Sequence, residues 1–202
     1  LHIETGATTF KSVRHALEDI GYELQLPLGK HAPVHRFTRQ GEQVDVMVAD
    51  NLAPAYRPTV LGRPVFAVPA GTSALRKTVN CSLEWNDPAE PLTLSIPDAL
   101  GALVLKGVAY REDPRDRSRH LDDAAILACA LTDPHEDVLR LRGHDRGRIL
   151  LLAEALTDTN HRSWLQMPDE MAQHGRDTLR LLTRNPQTTT RPRQLGRRAT
   201  DN

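Results

Sequence analysis

Strand-type alternation in the first half of the chain and helix-type periodicity in the second predict an α+β fold. The expected architecture is a small mixed β-sheet with flanking helices, followed by a helical C-terminal part. Between His35 and Ile96, several segments alternate apolar and polar residues, and from Asp98 onward the apolar residues recur at intervals of three and four. With 202 residues, 39% of them hydrophobic, the chain can bury a substantial core. The expected division is an α/β core over residues 1–97, a helical part over 98–184 and a basic tail over 185–202.

Phe10, Val13, Leu17 and Ile20 follow helical spacing, with Thr8 or Thr9 available as a cap and Gly21 placed to end the helix. Residues 35–39 and 42–48 read as two strands joined at a tight turn, Gln40-Gly41. In the second strand Val44, Val46 and Val48 point one way and Asp45 and Met47 the other. Four prolines between Pro54 and Pro69 predict a loop, with one short apolar stretch over 65–68. Residues 78–85 and 92–96 alternate again, separated by Asn86-Asp87-Pro88. Then the period changes. Leu100, Leu103, Val104 and Val108 predict one helix, Ala124, Ile126, Leu127, Ala130 and Leu131 another, and the segments 149–156 and 171–182 two more. The tail, Asn185-Pro186-Gln187-Thr188-Thr189-Thr190-Arg191-Pro192-Arg193 onward, has no apolar periodicity and is expected to be disordered.

The 26 basic and 26 acidic residues sum to zero, but from Arg184 onward five arginines face Asp201 alone, so the remainder is acidic. Such a tail is suited to RNA phosphate, or serves only solubility. No apolar run approaches a membrane span and no basic-then-apolar leader opens the chain, so the expected partners exclude a membrane and the expected compartment is the cytoplasm. Cys81 and Cys129 lack disulfide-framework or zinc spacing and read as buried free thiols.

Two places carry candidate chemistry. Asp45 interrupts an apolar strand; it either meets water on a solvated sheet face or serves as a ligand to a hard cation such as magnesium. Lys106 lies in a strongly apolar helix, and Asp123 opens the apolar face of the next. They either pair with each other or act separately, as a snorkelling lysine and a helix N-terminal acid. Gly71-Thr72-Ser73 lacks P-loop spacing and reads as a turn, and His2, His15, His31, His35, His135 and the pair His144-Asp145 read as surface or loop residues. Neither Gly-x-Ser-x-Gly nor His-Glu-x-x-His is present.

Taken in order, the first helix, the hairpin with its Val-Asp-Val strand, Ala70-Gly71-Thr72-Ser73-Ala74-Leu75, Ile96-Pro97, Lys106-Gly107-Val108-Ala109-Tyr110 and Arg119-His120-Leu121-Asp122-Asp123 form a set. That set resembles the AbiEii-type members of the minimal nucleotidyltransferase superfamily, over about Leu1 to Leu131. The resemblance implies a polymerase β-like fold. It also implies Mg2+-dependent transfer of a nucleoside monophosphate from a nucleoside triphosphate to an acceptor, RNA and the transfer RNA end included. Members of the family are frequently toxins of phage-defence toxin–antitoxin pairs, so a cognate antitoxin is a partner the resemblance implies. Carried over by position, Asp45 is the third metal acid, Lys106 the triphosphate stabiliser and Asp123 the helix-start acid that holds Lys106. His120 and Arg111 are further substrate contacts.

The family's glycine turn and Asp-x-Asp pair belong ahead of the first helix, and no such residues stand before Thr8. Leu1-His2-Ile3-Glu4 is similar to the end of the strand that carries the pair, with Glu4 as the one acid there. The expectation is a sequence that starts just after the metal-binding pair, through truncation or degeneration, and is inactive as it stands. The alternative function is a non-catalytic nucleotidyltransferase-like module that binds nucleotide, RNA or a partner protein.

Overall fold

The computed structural model describes residues 1–3, 7–84 and 91–184. Glu4, Trp85, the Asn86-Asp87-Pro88 turn and the arginine tail lie outside the described residues. The chain is a mixed arrangement of small sheets followed by packed helices, as the α+β expectation has it at that level.

In chain order the first half contains β1 (His2–Ile3), α1 (Phe10–Asp19), β2 (Glu23–Leu24), β3 (Arg36–Arg39), β4 (Glu42–Asp45), β5 (Met47–Ala49), β6 (Thr59–Val60), β7 (Arg63–Pro64), β8 (Ala67–Val68), α2 (Gly71–Leu75), β9 (Thr78–Leu83) and β10 (Leu92–Pro97). The second half is helical: α3 (Ala99–Glu112), α4 (Arg117–Ala130), α5 (Pro134–Arg140), α6 (Asp145–Ala155), α7 (Arg162–Leu165) and α8 (Asp169–Thr183).

The single mixed sheet expected from the sequence is replaced, among the described residues, by several smaller ones. β2, β3 and β4 form an antiparallel meander, while β1, β5 and β8 form a parallel sheet in the order β1-β5-β8. The strand expected over 42–48 divides at Val46, whose N–H turns to His35 O at 2.6 Å, and so feeds both sheets. Its alternation survives the break, because Val46 and Val48 are buried and Asp45 and Met47 only half so. Gln40 and Gly41, both at positive φ, make the tight turn between β3 and β4, and Leu61 and Gly62 repeat it between β6 and β7.

α1 is capped by Thr9, whose hydroxyl accepts from Ser12 N, and ends at Gly21 with φ +86°. It lays Phe10, Val13 and Leu17 against Phe37, Val46, Val48, Val60 and Val65. Ile20, expected on that face, is the C-cap residue and is exposed. A second core joins α3, α4, α6, α7 and α8 around Leu100, Leu103, Val104, Leu152, Trp164 and Leu182. α4 turns Leu121, Ala124, Ala125 and Ala128 inward, whereas Ile126 and Ala130, expected inside, face out. The helix begins at Arg117, about two turns before Ala124, where the apolar residues alone place its start.

Candidate functional site: the seam between α3 and α4

α3 is capped by Asp98, whose carboxylate accepts from Gly101 N at 2.8 Å. Gly107 lets it approach α6: a Cβ there would lie 2.4 Å from the Arg148 carbonyl oxygen. On the side toward α4, Lys106 Nζ donates to Asp123 Oδ2 at 2.5 Å. The two side chains are 32% and 34% exposed, so of the two alternatives the pair is the one formed, and it sits at the rim of the seam, still open to solvent. Asp123 does not start its helix as the resemblance implies. It is the seventh residue of α4, which opens at Arg117.

His120 lies nearly one turn before Asp123, with both ring nitrogens out of solvent and without a hydrogen-bond partner among the described residues. A buried polar ring in that state has room in its chemistry for a water or ligand contact. Arg111 is exposed and donates to its neighbour Glu112 at 2.8 Å instead of turning toward Lys106. Arg117, at the start of α4, lies over the ring of Tyr110 near the end of α3, 5.5 Å from its centroid.

Asp45 belongs elsewhere. It ends β4 directly opposite Arg36, which grips the carboxylate with two hydrogen bonds of 2.9 and 3.1 Å, and Gln43 adds a third at 3.1 Å. The Arg36 guanidinium holds the Asp45 carboxyl below the usual carboxylate range. The Leu1 ammonium donates to the Asp45 carbonyl at 2.6 Å, which brings the first residue of the chain alongside.

Magnesium prefers oxygen ligands in near-octahedral array. Among the described residues no group of three His, Cys, Asp or Glu side chains comes together, and both Asp45 oxygens are engaged by cationic or amide donors. The residues present do not fit the metal. The structure thus joins Lys106 and Asp123, sets His120 on the same helix as Asp123, and gives Asp45 and Arg111 separate partners.

A different carboxylate turns out to be the most heavily engaged. Asp145, expected at the surface, is 0% exposed. It accepts from Lys77 Nζ at 2.8 Å, from Ser73 Oγ at 2.8 Å, from Arg142 N at 3.0 Å and from Arg148 at 3.2 Å. Burial pushes its carboxyl up, but the bonds from Lys77, the Arg142 amide and Ser73 outweigh that and hold it below the usual range. This network locks α2 to α6. The Gly71-Thr72-Ser73 segment is tied down as well: Ala70 N and Thr72 N both donate to Asp50, at 2.8 and 3.1 Å, and Ser73 Oγ is held by Asp145. Burial lowers the His2 imidazole, which packs where a Cβ on Gly71 would lie. Lys77 follows Arg76 and Asp145 follows His144, so neither stands out in the sequence as a charge in an apolar setting.

Compared with protein-family models, with curated proteins and with solved structures, the chain matches none. No described helix is long and apolar enough to cross a membrane.

Proposed function

We propose that this chain is a nucleotidyltransferase-like protein of the AbiEii type, which binds a nucleoside triphosphate at the α3–α4 seam and in these 202 residues acts by binding. The observation that carries the reading is the Lys106–Asp123 pair at the rim of that seam. A lysine held by a single carboxylate and one-third open keeps donors for a phosphate oxygen, and His120 brings an unpartnered ring to the same helix. The Arg36 clamp on Asp45 argues against metal-dependent transfer by this set of side chains. The wider role implied is RNA modification or recognition within a toxin–antitoxin pair.

The test is titration calorimetry with ATP, GTP, CTP and UTP against wild type, Lys106→Ala and Asp123→Asn. Binding that weakens about tenfold or more in Lys106→Ala supports the site. No binding of any triphosphate at millimolar concentration, or equal binding by Lys106→Ala, overturns it. Robust magnesium-dependent labelling of RNA or protein from a labelled triphosphate would refute the binding-only clause.

One observation favours transferase activity as a second reading. β1 runs parallel to β5, with His2 beside Met47 and the Leu1 ammonium on Asp45 O. An acidic strand joined ahead of Leu1 would enter next to Asp45. Labelling activity gained by a chain so extended, and lost again on Asp45→Asn, is the result that reading requires.

A further inference from the structure

Tyr110 is the one Phe, Tyr or Trp side chain in the two helices of the seam. It follows Lys106 by four residues on α3, so the two lie on the same side of that helix, about 6 Å apart along its axis. The side chain packs against the helical core and is half-buried. α3 and α4 run antiparallel, since Lys106 meets Asp123 while Tyr110, one turn further on, meets Arg117, which precedes Asp123 on α4. The seam therefore has two levels, a cationic one at Lys106 and an aromatic one at Tyr110, separated by about 6–9 Å along the helix axes. His120 lies between them on α4.

The group that faces the Tyr110 ring is free to move. Arg111 and Arg115 pair with Glu112 and Asp113, whereas Arg117 is exposed and takes part in no salt bridge among the described residues. Its guanidinium carbon stands 5.5 Å from the ring centroid. A flat base placed between ring and guanidinium needs two van der Waals separations of about 3.5 Å, or ~7 Å in all. The remaining ~1.5 Å is within the rotamer freedom of an exposed side chain on the first turn of a helix. A phenol ring on one side and a planar guanidinium on the other offer stacking partners to both faces of a nucleobase, and neither reads its edges. The ribose of a nucleotide spans the distance from such a base to a phosphate at the other level.

We infer that Tyr110 and Arg117 hold the base of the nucleotide whose triphosphate meets Lys106, with the base between the ring and the guanidinium. The inference rests on the seam being a triphosphate site and adds how the nucleoside end is selected. Selection is by stacking area, so purine triphosphates bind more tightly than pyrimidine ones, and adenine and guanine are treated alike.

Calorimetric titration of the full chain at fixed ionic strength, with inorganic tripolyphosphate as the base-free probe, separates the two levels. Wild type should bind ATP and GTP about fivefold or more tightly than tripolyphosphate, with CTP and UTP between them. Tyr110→Leu keeps an apolar side chain against the core; it should bring ATP down to the affinity of tripolyphosphate and leave tripolyphosphate unchanged, while Tyr110→Phe should bind ATP as wild type does. Arg117→Lys keeps the charge at an exposed site and removes the planar group, so it should weaken ATP about threefold or more and tripolyphosphate not at all. In proton NMR spectra the H2 and H8 resonances of ATP should move upfield on binding to wild type, through the ring current of Tyr110, and should not on binding to Tyr110→Leu. ATP bound no more tightly than tripolyphosphate by wild type, ATP binding unchanged in Tyr110→Leu, or equal losses of ATP and tripolyphosphate in that variant each overturn the inference and leave Lys106 as a phosphate site. Failure of tripolyphosphate and of every nucleotide to bind at millimolar concentration overturns the seam as a site, and this inference with it.

Discussion

Removing the buried carboxylate at position 145 gives the sharpest test of how the two halves of this chain are joined. Asp145→Asn keeps the side-chain shape but leaves Lys77, 2% exposed, with Ser73 and backbone oxygen as its remaining partners. Stripping one partner from a buried ion pair costs about 3–5 kcal/mol, because the other charge stays out of water uncompensated. For a chain of this size each kcal/mol lowers the melting temperature by about 2–4 °C, so a fall of about 6–20 °C is expected. Urea unfolding of wild type, Asp145→Asn, Lys77→Met and Lys77→Met with Asp145→Leu measures it. The double variant should recover part of the loss, since an apolar pair needs no compensation.

The sign with pH follows from the carboxyl being held below its usual range in the folded state. Its contribution is complete above the unfolded value near pH 4 and disappears as pH falls through the lower folded value. The gap between wild type and Asp145→Asn should therefore be flat from neutrality to about pH 5 and narrow below about pH 4. A cost under about 1 kcal/mol, as for an exposed pair, would refute the argument, as would a gap that widens with acid.

The Lys106–Asp123 pair, one-third exposed, should behave differently: Asp123→Asn changes unfolding free energy by no more than about 1 kcal/mol in urea titration, while nucleotide binding responds. Gly107→Ala should cost about 1–3 kcal/mol by the same assay, because the new Cβ meets Arg148 backbone that is fixed in α6. Leu61→Asn should raise the melting temperature by about 2–4 °C; Leu61 is 75% exposed at φ +50°, where Asn is tolerated far better than Leu. Arg36→Ala should bring the Asp45 carboxyl back toward its ordinary range in a carboxyl NMR titration, since the guanidinium is the main cause of its depression.

Much of the fold was legible because it is local. Gly41 at a two-residue turn, Thr9 and Gly21 at the ends of α1, and the three- and four-residue spacing through Leu100, Leu103 and Val104 each report a neighbourhood of a few residues. The division at Val46 was not legible, since whether a strand continues in one sheet depends on which partners arrive, here β1 and β8 from distant sequence. The start of α4 was missed for another reason: Arg117, Ser118 and Arg119 extend the helix on its solvent side, where apolar periodicity leaves no trace. Within the candidate site, Lys106 stands out as a charge in an apolar helix and Asp123 as the acid that precedes the apolar run of the next. Lys77 and Asp145 lie 68 residues apart, and neither stands in a pattern that shows its burial.

Three carboxylate–cation pairs of similar length thus separate by environment alone. Arg36 and Asp45 sit on an open sheet face, Lys106 and Asp123 at a rim, and Lys77 and Asp145 out of water. The buried pair cannot exchange partners, because any intermediate leaves a bare charge in the interior, so its role is to hold α2 against α6. The exposed Arg36 pair is bidentate, and its planar fork is matched by the carboxylate it already has. The rim pair alone combines a single-point contact with solvent access. A triphosphate, with several anionic oxygens, can compete there for Lys106 against one carboxylate, and water is present to take up Asp123 when it is released. Partial exposure, which makes the pair worth little to stability, is the property that leaves it able to respond to a ligand.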